Sequence, residues 1–150
     1  MRTFEDFPVG STWPLGPYPV TRDAVIAFAG EFDPQPFHLD DGAAEASLLG
    51  GLSASGWHSC AMMMRMIVDG FLAGSTSQGS PGVDHVTWLK PVRPGDTLSG
   101  TMTVLEARVS AKRPTLGIAR LRNILANQHG ETVLEAEYTL LLTTAAGAAA

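Results

Sequence analysis

Asp33 and His38 stand five residues apart, joined by Pro34-Gln35-Pro36-Phe37. Proline fixes its own φ and restricts the residue before it, so the backbone between the two groups is stiff. A carboxylate and an imidazole on one rigid loop can hold a single water between them. The carboxylate stays ionised and takes a proton, while an imidazole titrates near neutral pH. Holding the pair in advance reduces the entropy lost in reaching a working geometry. The same residues also suit a structural role, with Asp33 in an Asx turn, the prolines ending a helix and His38 packed at the next helix start.

A second candidate group, Ser55-Gly56-Trp57-His58, opens a strongly apolar segment. Free backbone N–H groups at a helix N-terminus stabilise developing negative charge, and glycine lets a substrate come close. Gly56 is therefore a candidate oxyanion donor, and Ser55, Trp57, His58 and Gln35 are candidate substrate-binding residues. Gly56 equally suits a tight approach to the helix, and His58 a first-turn histidine with its ring hydrogen-bonded. Other chemistries fit poorly. His38, His58, His85 and His129 match no helical ligand spacing, and one cysteine builds no thiolate cluster, so no metal is expected. Cys60 lies within the apolar segment as inert packing, and Met62-Met63-Met64 reads as core filler. No phosphate loop or dinucleotide glycine pattern occurs.

Positioning these groups requires defined elements. Thr21 reads as an N-cap, with Asp23 in the first turn and Val25, Ile26, Phe28 and Ala29 on one face of a helix ending near Gly30. Residues 1–20 hold Gly10, Pro14, Gly16, Pro17 and Pro19, which predicts an irregular segment with at most one short strand. A short helix is expected over 41–49, and a longer one over 57–72. The longer helix is apolar nearly all round, so it must be wrapped by other elements, and an end left uncovered must meet a partner. Residues 73–82 read as a flexible loop. Beyond them, alternation predicts strands around Val86 and Trp88, over 98–104, over 116–126 and over 133–142. Ala145 to Ala150 has nothing to fix it and reads as a disordered tail, leaving 1–144 as one domain. A curved antiparallel sheet around one buried helix satisfies this order, an α+β class.

Composition narrows the function further. The chain is single-domain in size and carries a net charge of −5, so no basic field is present to hold nucleic acid. Charged residues make up 17%, against roughly 25% in an average domain. A surface that poor in charge suggests cover by another subunit. No apolar run approaches the ~18 residues of a membrane helix, and the start lacks a secretory signal. The protein reads as soluble and cytoplasmic, without a membrane partner.

Three stretches together carry a family resemblance: Phe28-Ala29-Gly30-Glu31-Phe32-Asp33-Pro34-Gln35-Pro36-Phe37-His38-Leu39-Asp40, Ser55-Gly56-Trp57-His58, and Leu89-Lys90-Pro91-Val92-Arg93-Pro94-Gly95-Asp96-Thr97-Leu98. The chain resembles the MaoC-like dehydratases, which include the R-specific enoyl-CoA hydratases. The resemblance implies a hot-dog fold and a homodimer whose sheets join edge to edge. It implies acyl-CoA thioesters as substrates, with no resident cofactor because the substrate carries coenzyme A. Asp33 and His38 would be the catalytic pair and Gly56 the oxyanion donor, in reversible hydration of a trans-2-enoyl thioester to an (R)-3-hydroxyacyl thioester. Leu, Met and Trp side chains around the long helix would line an acyl tunnel. Lys90, Arg93, Lys112 and Arg113 are the basic candidates for the coenzyme A phosphates. Two departures stand out. Gln35 replaces the usual asparagine and could re-aim the pair. Met64 replaces a small polar residue that helps place the aspartate in some hydratases, a task left to His58 or Ser59. A thioesterase of the same fold places a carboxylate on the central helix, where this chain offers only Asp69 near the far end. A non-catalytic acyl-CoA-binding subunit is the third reading.

Overall fold

The computed structural model describes residues 1–149. Its core is a five-stranded antiparallel sheet: β1 (Thr12–Pro19), β2 (Val83–Trp88), β3 (Thr97–Val109), β4 (Leu116–Ala126) and β5 (Thr132–Thr143). Their spatial order is β1-β3-β4-β5-β2. Strands β3, β4 and β5 are long hairpin neighbours, because turns at 110–115 and 127–131 interrupt an otherwise continuous alternation. Strand β2 pairs only with β5, Val86 opposite Ala136 and Trp88 opposite Leu134, and forms one edge. Strand β1 forms the other edge. It is eight residues long, with a break in register between Leu15 and Tyr18, where the Gly16–Pro17 peptide is cis. The prolines therefore shape this strand rather than abolish it, as suits an edge position.

Among the described residues the α-helices are α1 (Arg22–Phe32), α2 (Asp41–Glu45), α3 (Gly56–Ile67) and α4 (Ala145–Ala148). Thr21 Oγ1 accepts from Ala24 N–H and caps α1 as its sequence predicts. Asp40 caps α2 in the same way, through Ala43 N–H. Helix α2 stops at Glu45, short of the expected Leu49. Past Ile67, α3 widens into a looser turn over Val68–Leu72. The sheet's inner face packs on α3 through Leu98, Met102, Leu121, Leu125 and Leu134, against Met62, Met66 and Ile67, all buried. Phe7, Trp13 and Phe71 close one end of this core, and Arg2 donates to Phe71 O at 2.8 Å over the Trp13 ring.

The helix is not covered all round. Trp57, Met64 and Val68, spaced about two turns and then one turn along the helix, form an exposed apolar stripe. It is a flank of α3, not its end, that lacks cover. Part of the 73–82 segment is also more ordered than its composition suggests, since Thr76 Oγ1 donates to Thr143 O at 2.8 Å and Ser77 bridges to Leu142. Of the tail expected to lack structure, Ala145–Ala148 form one turn capped by Thr144, and residue 150 lies outside the described residues. Among the described residues no helix is long and apolar enough to cross a membrane. Met66, 2% exposed beneath the sheet, tests the core directly. Met66→Ala should lower stability by about 2–5 kcal/mol, measured by urea unfolding.

Candidate active site

Asp33 ends α1. Its N–H donates to Ala29 O at 2.9 Å, and its non-helical backbone turns the chain toward Pro34. A carboxylate at a helix C-terminus faces the negative end of that dipole. Two hydrogen bonds compensate. Ser55 Oγ donates to Asp33 Oδ2 at 2.7 Å, and Gln35 Nε2 donates to Oδ1 at 2.7 Å. Ser55 is also the N-cap of α3, where its Oγ accepts from Trp57 N–H at 3.3 Å. The carboxylate is thus tied to the positive end of α3, and one serine hydroxyl links helix cap and loop. The Ser55 hydrogen bond chiefly, and the Gln35 bond next, hold the Asp33 carboxyl below the ordinary carboxylate range.

Pro36–His38 form a single tight turn, whose geometry lays the His38 ring behind Asp33. His38 Nδ1 lies 2.8 Å from Ser53 O, and since a carbonyl only accepts, Nδ1 carries a proton. In the neutral ring Nε2 is then the lone-pair nitrogen. It faces Asp33 Oδ2 at 3.4 Å, with the His38 side chain 8% and the Asp33 side chain 18% exposed. A carboxylate oxygen and an imidazole nitrogen, both acceptors and adjacent, can each accept from one water molecule. That is the arrangement required for removing a proton from water.

Both groups open onto a cavity of about 600 Å³ whose lining includes Ser55, Gly56, Trp57 and Trp88. Gly56 is the first residue of α3, and a Cβ on it would meet the Trp88 indole at 2.6 Å. The Trp88 Nε1 donates to Gly56 O at 2.9 Å. Glycine is needed here for the close approach of that ring, which packs directly on the Cα of Gly56.

The structure brings Asp33, His38, Ser55, Gly56 and Trp57 together at this cavity. Gln35 is exposed and acts as a brace on Asp33 rather than in the lining. His58 departs from its expected place: its ring stacks on Phe28, 4.7 Å between centroids and 8° apart, away from the cavity. Burial lowers its pKa, and its Nδ1 is buried without a partner. Asp33 is positioned by Ser55 and Gln35, not by His58 or Ser59. Met64 sits on the exposed stripe, outside this cavity. Asp69 pairs with Arg65 at 2.9 Å on the exposed side of the helix, so α3 offers the cavity no carboxylate.

Trp88 is the lining residue that sequence reading treated only as part of a strand. The signal for it was a large aromatic one residue before the Leu89–Leu98 motif. Of the basic candidates, Lys90 lines the cavity and pairs with Glu131. Arg93 is structural, donating to Leu49 O at 2.5 Å and Leu52 O at 3.4 Å. Lys112 and Arg113 lie in the β3–β4 turn. Along β5, nine residues from Leu134 to Thr143 separate that end from Trp88, about 30 Å.

His85, Glu135 and Glu137 gather possible metal-ligand atoms within 4.8 Å of one another on another part of the sheet. Both Glu137 oxygens already accept from Arg120 and Arg122, at 2.6 Å each. A cation there would face two guanidinium charges, which makes this cluster an ion-pair bracket across the strands.

The sequence model of the MaoC-like domain family matches residues 10–124. The chain belongs to the MaoC-like family. The MaoC-like dehydratase from Rhodospirillum rubrum is 40% identical, with a TM-score of 0.88 over 96% of this chain and 98% of that one. The Bacillus subtilis protein YdeM is 32% identical over 139 residues, 92% of this chain and 96% of its own length. The R-hydratase PhaJ1 of Pseudomonas aeruginosa shares the fold at 22% identity, with a TM-score of 0.72 over 95% of this chain and 86% of that one. The antiparallel sheet closed around α3 is the hot-dog fold.

The Ser55–Asp33 bond predicts a titration. A donor to the ionised form lowers a carboxyl pKa, so removing it raises the value. In Ser55→Ala the Asp33 carboxyl should titrate at higher pH than in the parent protein, as read by carbon-detected NMR of the side-chain carboxyl.

Proposed function

We propose that the protein hydrates trans-2-enoyl-CoA thioesters reversibly to (R)-3-hydroxyacyl-CoA thioesters. The observation that carries this reading is the Asp33 Oδ2–His38 Nε2 pair, two adjacent acceptors 3.4 Å apart at a cavity mouth. Membership of the MaoC-like family supports the same class of chemistry. Water held between the two groups gives a proton to Asp33 as its oxygen bonds the β-carbon. The electron pair of the C–C double bond moves onto the thioester oxygen, forming an enolate. The Gly56 N–H, at the positive end of α3, donates to that oxygen and stabilises its charge. The enolate then collapses as the Asp33–His38 pair returns a proton to the α-carbon, so that one water is added and the pair is restored. Trp57 and Trp88 flank the reacting carbons, and Lys90 is the basic group nearest to hand for a coenzyme A phosphate.

The substrate would be met by a homodimer. The stripe Trp57, Met64 and Val68 is continuous with exposed Val83, Trp88 and Leu89 beside the free edge of β2. An apolar edge strand is a template for pairing, and two β2 strands antiparallel to each other would extend the sheet across both copies. The proposed reaction makes it a soluble acyl-thioester enzyme of the cytoplasm.

Incubation with crotonyl-CoA and with a longer trans-2-enoyl-CoA tests the reaction. Enoyl absorbance should fall without release of free thiol, and thiol release would assign a thioesterase instead. Asp33→Asn should lower kcat/KM by about 100- to 10,000-fold while the Kd for a saturated acyl-CoA changes little. Equal loss of both would remove Asp33 from the proposed role. Met64→Lys places a charge in the proposed interface, and sedimentation velocity should then show monomer where the parent protein sediments as a dimer.

A further inference from the structure

The proton on His38 Nδ1 is held by one carbonyl, Ser53 O. Ser53 is 1% exposed, and its hydroxyl is buried without a partner among the described residues, so its side chain does not anchor it. Its neighbours along the chain do, and Val92–Arg93 grip them at three points. Val92 O accepts from Ala54 N–H at 2.8 Å. The Arg93 guanidinium donates to Leu49 O and to Leu52 O, on either side of Gly50-Gly51.

The chain is folded around this guanidinium. Gly50 turns the backbone at a φ of 66°, where glycine is favoured, and a Cβ on Gly51 would meet Arg93 Nη1 at 2.8 Å. Arg93 is half-buried, and a charged donor makes a stronger bond to a carbonyl than a neutral amide does. Its own N–H donates to Asp96 Oδ2 at 2.8 Å, while Gln128 Nε2 donates to Asp96 Oδ1 at 3.0 Å. The base of the clamp is thus tied to the β4–β5 turn, and its tip reaches the loop that ends at Ser53.

We infer that Arg93 is a positioning residue for the proposed reaction, clamping the 49–52 loop so that Ser53 O keeps the His38 proton on Nδ1. This rests on the hydration reading above. Arg93 lines a separate polar pocket with Asp96 and Glu131, not the catalytic cavity, so it acts through His38. Two acceptors compete for the single proton of the neutral ring. Ser53 O lies 2.8 Å from Nδ1, and Asp33 Oδ2 lies 3.4 Å from Nε2. With Ser53 O in reach, the proton stays on Nδ1 and Nε2 accepts from water. With the loop released, the proton moves to Nε2 and is donated to the carboxylate. Asp33 and His38 then bond each other, and the water loses an acceptor on both.

Long-range nitrogen–proton correlation NMR reads the tautomer of a neutral imidazole and needs no substrate. The His38 signals are those lost in His38→Gln. The ratio of Nδ1–H to Nε2–H at His38 should fall by about threefold or more in Arg93→Ala, the worth of one hydrogen bond. Met66→Ala, which loosens the core without touching the clamp, should leave the ratio unchanged. A smaller fall in Arg93→Ala overturns the clamp, and so does an equal fall in Met66→Ala. If Arg93→Ala does not fold, Gly51→Val decides in its place, because the added side chain displaces the guanidinium while Arg93 remains. The same fall is expected there. A shifted tautomer in the variant, with no hydration of any enoyl thioester by the parent protein, would end the proposed reaction and leave the clamp standing.

Discussion

Helix α3 cannot be left in water. Met62, Met63, Met66 and Ile67 bury one side of it, and Trp57, Met64 and Val68 make the opposite side apolar as well. Hydrophobic burial is non-directional, so it demands cover without saying which element supplies it. Here the cover is a sheet long enough to curve, because β3, β4 and β5 each span eleven residues or more. Everything else takes its position from that wrapping. The widened turn at Val68–Leu72 carries Phe71 into the aromatic cluster with Phe7 and Trp13, which closes the far end of the helix.

The near end of α3 is where burial stops and chemistry becomes possible. A helix N-terminus has unpaired N–H groups that need acceptors. Ser55 satisfies the Trp57 N–H and in the same stroke donates to Asp33, so the cap that helix formation requires also fixes the carboxylate. The stiff Pro34–Pro36 stretch then leaves His38 little choice of position, and its bond to Ser53 O settles which nitrogen faces the carboxylate. Three local demands converge on one geometry: a capped helix, a proline-restricted loop and a buried imidazole with a single carbonyl within reach.

Much of this was legible in the sequence because it is written in local rules. Thr21 as an N-cap, the prolines flanking Gln35, the small residues before Trp57 and the alternation along 133–142 each act within a few residues. What escaped depends on distance along the chain. Strand β1 exists because Trp13 and Leu15 find β3 partners nearly ninety residues away, so its prolines misled a local reading. His58 follows directly on the Ser55–Trp57 run, yet one helical step of about 100° turns its ring onto Phe28 instead of toward the cavity. Trp88 reaches the site only because β2 pairs with β5 at the edge that overhangs Gly56. The exposed stripe of α3 was hidden by a composition that is apolar on every side, since composition does not say where the sheet ends.

Glu137 and Asp33 are both held by short hydrogen bonds, and the contrast between them bears on what each can do. Glu137 sits on the sheet with Arg120 and Arg122 on its two oxygens. Two guanidinium charges stabilise its anion so fully that it is a poor acceptor for any further proton. Asp33 is held instead by Ser55 and Gln35, both neutral. Neutral donors keep it ionised without matching its charge, and two bonds leave about half of the roughly four lone-pair sites of a carboxylate unoccupied. Its nearest titratable neighbour, His38, offers an acceptor in the neutral state and a compensating charge once protonated. A carboxylate that must take a proton from water needs this second kind of setting: fixed in direction, ionised in advance and still short of one donor.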